Sequence, residues 1–294
     1  MVHYFSTKKI MLILLNGFIV VGVALLALVL FLKYFEKTGI FFPSRDITVT
    51  PSAVGVNFEE VMIPSGSETI NAWFLEGPVS SPVILFCHGN AGNIGDRVLL
   101  LKLFSDAGFG VLIFDYRGYG KSSGKPSEAG FYQDALSSYR YLVTARAIAP
   151  RRVILYGESI GSAVALDVAS TVTVAAVVIQ GGFSSAIDMG RVMFPWVPSV
   201  LFKNLASVKF DAQARASRLI VPKLFIHGEA DSIVPLAIGR KLYENAASPK
   251  EFFILPGDHN DGPYVYQQEF IERFTEFVAA HGLSSQARAP KRTP

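Results

Sequence analysis

A chain of 294 residues, half of them hydrophobic, is long enough for one large domain with a full core and an additional segment. Its formal net charge of +3 gives no support for a nucleic-acid partner. Its one cysteine, Cys87, excludes an internal disulfide and, at the end of an apolar run, reads as a small buried residue.

The first predicted element is the uncharged apolar run 10–32, in which Asn16 is the one strongly polar residue. As a helix it would extend roughly 35 Å, enough to cross a bilayer. A secretory signal would have a shorter apolar core followed by small residues at a cleavage site. Here bulky side chains fill 28–34, so the run reads as an uncleaved transmembrane anchor within an N-terminal segment, 1–36. Lys8 and Lys9 precede it and Lys33 and Lys37 follow it. That near tie under the positive-inside rule assigns no membrane face to the remainder of the chain. Residues 37–55 read as a connector, 56–282 as the globular domain, and 283–294, basic and proline-containing, as a disordered tail.

Within the domain, 58–63 and 69–75 read as strands joined by the turn Pro64-Ser65-Gly66-Ser67. Strand and helix then alternate. The strands are 82–87, 110–114, 152–156, 174–180, 221–227 and 251–255, mostly continuous apolar runs of the kind covered on both faces. The helices are 95–107, 127–145, 159–170, 235–246 and 261–280. This order predicts an α/β fold, a mostly parallel eight-stranded sheet with helices on both faces. Between 183 and 217 the alternation lapses into an apolar stretch containing Met189, Met193, Phe194 and Trp196, which reads as a small cap.

Residues 157–161 read Gly157-Glu158-Ser159-Ile160-Gly161, directly after the strand 152–156 and before small residues that suit a helix. A strand, a sharp turn with serine at its apex and a helix is the context that gives G-x-S-x-G meaning as a nucleophile elbow. A second match, Gly120-Lys121-Ser122-Ser123-Gly124, lacks that context: no strand precedes it, and Pro126 follows where a helix would begin. Ser122 therefore reads as a loop serine.

A serine hydroxyl needs a base to accept its proton and a carboxylate to orient that base. Of the five histidines, only His259, in the loop Pro256-Gly257-Asp258-His259-Asn260-Asp261, combines loop freedom with a position after a candidate acid. Asp231 is that acid, lying between Ser159 and His259 after a strand, with Glu229 and Asp188 as alternatives. Donors for a developing oxyanion would be the N–H of Ile160 and one from the Gly-rich loop His88-Gly89-Asn90-Ala91-Gly92, where Asn90 is the best placed. Neither a metal nor an organic cofactor is implied.

The segments HGNAGN (88–93), DYRGYGKSSG (115–124), GESIG (157–161), HGEADSIVP (227–235) and GDHND (257–261) together resemble the α/β-hydrolase superfamily. More narrowly the chain resembles its membrane-anchored bud-emergence-type branch, which carries an N-terminal anchor and then a Phe-Pro or Tyr-Pro segment, matched by Phe42-Pro43. The resemblance implies Ser159 as nucleophile, Asp231 and His259 as its relay, and Asn90 with Ile160 as the oxyanion hole. It departs at Ser162, where relatives often carry a second glycine and where a side chain is expected to crowd the helix against the sheet. The expected activity is hydrolysis of carboxylic esters or thioesters, on a small-molecule or acylated substrate with an apolar portion, beside a lipid bilayer. A serine peptidase or amidase on the same residues, or a non-catalytic membrane-tethered binding protein on a hydrolase fold, are the alternatives.

Overall fold

The computed structural model describes residues 7–283. The expected disordered tail, Leu283 apart, lies outside the described residues, as does His3.

Eight strands form one sheet: β1 (Glu59–Ser65), β2 (Glu68–Leu75), β3 (Val83–Cys87), β4 (Gly110–Phe114), β5 (Val153–Glu158), β6 (Ala176–Gln180), β7 (Lys223–Gly228) and β8 (Lys250–Leu255). Their spatial order is β1-β2-β4-β3-β5-β6-β7-β8. Among the described residues, β2 runs opposite to the other seven strands of the sheet, pairing Ala72 with Phe114 on β4 and with Val61 on β1; the pairs that do not involve β2 are parallel. The β1–β2 hairpin closes through Gly66, whose φ of +65° is open to glycine without steric cost.

Side chains on a strand alternate between faces, and the core follows that period of two. Leu85, Cys87, Leu155 and Ile179 bury on one face with α3 (Glu128–Thr144) and α4 (Ile160–Ala169). Ile84, Phe86, Ile154, Tyr156 and Val178 bury on the other with α2 (Val98–Asp106) and the last helix. Cys87 is fully buried, as its apolar neighbours imply.

Several element ends differ from the sequence reading. The helix expected from 95 begins at Val98, because a 3-10 turn over Ile94–Arg97, closed by an Asn93/Asp96 capping box, takes up its start. The strand expected to end at Tyr156 continues to Glu158, one residue before the serine. The helix expected over 261–280 is interrupted at Tyr266. The cap region resolves into three short helices, α5 (Ala186–Met193), α6 (Ser199–Leu205) and α7 (Ala212–Ala216). They are followed by α8 (Leu236–Asn245), α9 (Gly262–Val265) and α10 (Gln267–Ala280).

The N-terminal helix, α1, runs Thr7–Thr38. Its stretch Lys9–Thr38 is long and apolar enough to cross a membrane. In the connector, Phe42–Pro43 pairs in parallel with Ala91–Gly92, which ties it to the loop after β3.

Candidate active site

β5 delivers Ser159 to the carboxyl-terminal edge of the sheet, where open α/β sheets place their ligands. The turn into α4 is tight because both flanking glycines are approached by backbone. A Cβ on Gly157 would overlap Gly161 and Ser162, and one on Gly161 would overlap the carbonyl of Cys87. Between them Ser159 takes φ 54°, ψ −117°, a region nearly reserved for glycine. Its N–H donates to Gln180 O at 2.8 Å, which fixes the apex to β6. Ser162 does not obstruct the packing: it is fully buried and its hydroxyl donates to Gly157 O at 2.8 Å.

His259 and Asp231 meet over the neighbouring strand ends. The His259 Nδ1–H donates to Asp231 Oδ2 at 2.7 Å. That acceptor places the ring proton on Nδ1 and leaves Nε2 with its lone pair free. Asp231 is held in turn, its Oδ1 accepting from the N–H groups of Ile233 (3.0 Å) and Val234 (2.7 Å), with its side chain fully buried. Asp258 accepts from Ser232 and from the His259 N–H, closing the loop that carries the imidazole. Ser159 and His259 line one cavity, yet among the described residues no hydrogen bond joins them; such bonds often tighten only around a substrate. The alternative acids are placed elsewhere. Glu229 is exposed, and Asp188 accepts from Ser184, Ser185 and Lys241.

The loop after β3 brings Asn90 to the same place. Its carbonyl accepts from the Phe42 N–H (3.3 Å) and the Tyr119 hydroxyl (2.7 Å), which leaves the loop little freedom. The N–H of Ile160, at the first position of α4, has no partner within its own helix. Ser159 and Asn90 line two cavities at once. One, of about 360 Å³, is walled by apolar residues of α1 and the cap; the other, of about 450 Å³, is walled by polar residues including Asp96, Arg97, Glu158 and Tyr264. The serine therefore stands where an apolar and a polar compartment meet.

The decoy serine is structural. Ser122 is buried, donates to Asp115 O at 2.7 Å and accepts from the Asn71 N–H at 2.9 Å.

Comparison with known proteins agrees with the architecture. A family model described as alpha/beta hydrolase fold matches residues 82–220. The chain is 31% identical over 274 residues to an uncharacterised protein of Mycobacterium tuberculosis, covering 91% of this chain and 96% of that one. It is 32% identical over 286 residues to protein bem46 of Schizosaccharomyces pombe, covering 92% and 95%. The chain belongs to the α/β-hydrolase family. Among solved structures, the Pyrococcus furiosus esterase Pf2001 superposes with a TM-score of 0.68 over 82% of this chain and 98% of that one; at 19% identity this shows the shared fold alone.

Three residues of this hydrolase-fold site escape sequence reasoning. Glu158, inside the G-x-S-x-G motif, receives both Nε (3.1 Å) and Nη2 (2.9 Å) of Arg97. Burial pushes the Glu158 carboxyl upward, but the Arg97 guanidinium outweighs it and holds the group below the usual carboxylate range. Arg97 also donates to Ala91 O at 2.8 Å, so one side chain joins the loop of Asn90 to the residue before Ser159. His227 backs Asp231, its Nε2 lying 3.3 Å from Asp231 Oδ2 and donating to Val234 O at 2.8 Å. Burial holds that imidazole below its ordinary pKa. Position in sequence carries no sign of the Arg97–Glu158 pair, which joins residues 61 apart, and the His227 contacts, though local, depend on how the turn to Val234 folds back.

Proposed function

We propose that the protein is a membrane-anchored serine hydrolase that cleaves carboxylic esters or thioesters through an acyl-enzyme on Ser159. The observation that carries this reading is the 2.7 Å bond from His259 Nδ1 to the buried Asp231, which leaves Nε2 as a base in the cavity that Ser159 enters. His259 accepts the hydroxyl proton as Ser159 Oγ attacks the carbonyl carbon, and Asp231 stabilises the imidazolium that results. The oxyanion is held by the N–H groups of Ile160 and Asn90. His259 then returns the proton to the leaving oxygen or sulfur as its bond to the carbonyl breaks. A water molecule repeats the sequence on the acyl-enzyme: its proton passes through His259 to Ser159, and a carboxylic acid is released.

Two features support an apolar acyl group and a membrane setting. The cavity on one side of Ser159 is walled by Met189, Phe194, Leu201 and Phe202, which favours an apolar portion of a substrate. The exposed apolar length of α1 suits a bilayer crossing. A fluorophosphonate probe is expected to label the full-length protein in membranes, and Ser159→Ala to abolish the label. Labelling that persists in the variant overturns the assignment. A panel of matched ester, thioester and amide substrates then ranks the leaving groups.

A further inference from the structure

The apolar cavity has one wall that does not belong to the hydrolase domain. Leu32, Phe35, Glu36 and Gly39 of α1 and its exit line it, positions i, i+3, i+4 and i+7 of one helical face. Cap residues Met189 and Phe202 line the same cavity, as do Ser159 and Ile160 of the elbow.

The contact between α1 and the cap is specific. Phe35 packs edge-on against Phe194 with ring centroids 4.9 Å apart, and Phe31 packs against the same ring at 5.7 Å. The Glu36 carboxylate accepts the N–H of Val208 at 2.7 Å and that of Ser207. Lys33 donates to the Ser207 hydroxyl at 2.8 Å and to the Leu205 carbonyl. Two charged side chains of α1 are thus spent on the cap.

The level of this contact matters. The uncharged run of α1 ends at Leu32, the residue where the cavity wall begins. Beside it the cap exposes Val192, Met193, Trp196 and Val200, with Trp196 at 65% exposure and packed on Phe194. Met193 lies both on the cavity and on that exposed surface. Tryptophan and lysine at the end of an apolar span are the side chains that settle at a membrane interface.

We propose that α1 is a wall of the substrate site as well as an anchor, and that the cavity receives the acyl chain of a long-chain ester or thioester residing in the bilayer. This rests on the hydrolase reading above. A chain that slides from lipid along α1 into the cavity stays out of water, whereas a chain taken from solution or extracted through it must expose each methylene. Chain-length preference is then set partly by residues of α1.

The test uses the full chain in phosphatidylcholine vesicles with two esters of one chromophore, a water-soluble butyrate and a bilayer-resident palmitate. The readout is the ratio of kcat/KM for palmitate over butyrate. Leu32→Trp, which narrows the lipid end of the cavity, is expected to lower that ratio about tenfold or more. Val21→Trp, on the lipid-exposed part of α1 away from the cavity, is expected to leave the ratio where it was. Fluorophosphonate labelling of Ser159 reports whether each variant keeps its site. If Leu32→Trp loses the label, Phe35→Ala, which only removes atoms, carries the test, and its ratio is expected to shift. A ratio in the labelled Leu32→Trp or Phe35→Ala variant equal to that of the wild type, or butyrate hydrolysis without palmitate hydrolysis, overturns the proposal and leaves the hydrolase reading standing. Absence of both activities and of the label overturns the two together.

Discussion

Gly181 lies beneath the His259 ring, where a Cβ would come within 2.8 Å of Cε1. Its φ of +55° also disfavours any side chain. Gly181→Ala is therefore expected to displace the imidazole from Ser159. A displacement of about 1 Å at a reacting group can lower the rate about 10²-fold, while the backbone conformation adds roughly 1–2 kcal/mol of destabilisation. Ester kcat/KM and thermal unfolding of the same preparation separate the two effects, and a variant with wild-type kcat/KM contradicts the placement of His259. At this scale the sequence was informative wherever chemistry dictates order. Ser159, Asp231 and His259 follow from residue type, strand ends and chain order. His227 and Gly181 do not, since their roles are contacts made by a buried ring and by a missing side chain.

The junction of the 3-10 turn before α2 with the end of β5 depends on one buried ion pair. Arg97 is fastened to Glu158, Ala91 and Asn93. Replacing it by alanine would leave the Glu158 carboxylate buried and unpaired, a change that destabilises by about 3–5 kcal/mol. Arg97→Ala should lower the melting temperature strongly, and adding Glu158→Gln should restore part of the loss by removing the stranded charge. No recovery in the double variant would mean that Arg97 acts through its carbonyl contacts instead. The elements themselves were legible because continuous apolar runs and 3.6-residue periods persist over long segments. Their ends were not, because a capping box at Asn93 depends on side-chain-to-backbone bonds and the break at Tyr266 on local backbone geometry. The cap helices, five to eight residues each, are too short to show a period.

For the molecule as a whole, two buried groups under the site act in opposite directions on stability. Burial holds the His88 imidazole down to about 3 and pushes the Asp115 carboxyl up to about 7. An unfolded histidine takes a proton near 6.5, so unfolding binds a proton between those values. The His88 contribution is thus complete above about pH 6.5 and is lost as pH falls toward 3. An unfolded aspartate loses its proton near 3.9, so the Asp115 contribution is complete below that and is lost as pH rises through about 7. Between roughly pH 4 and 6.5 the two slopes offset each other. Asp115→Asn should unmask the His88 slope, seen as a denaturation midpoint that falls between pH 7 and pH 5 more steeply than in the wild type. Equal slopes would show that Asp115 contributes none, its folded carboxyl titrating as it does in the unfolded chain. A mostly parallel sheet covered on both faces could be anticipated from alternation, but neither its strand order nor the docking of α1 on the cap. That contact joins Lys33 and Glu36 to residues near 207, a pairing no local pattern announces.

The backbone of Ser159 has a consequence of another kind. A non-glycine residue at φ 54°, ψ −117° carries a standing penalty of order 1–3 kcal/mol. Ser159→Gly should therefore melt higher than the wild type while losing the hydroxyl. For a lineage that used this scaffold only to bind, drift toward glycine would bring greater stability at no loss. A serine held in a strained conformation is a running expense, one that the turnover proposed for Ser159 would justify.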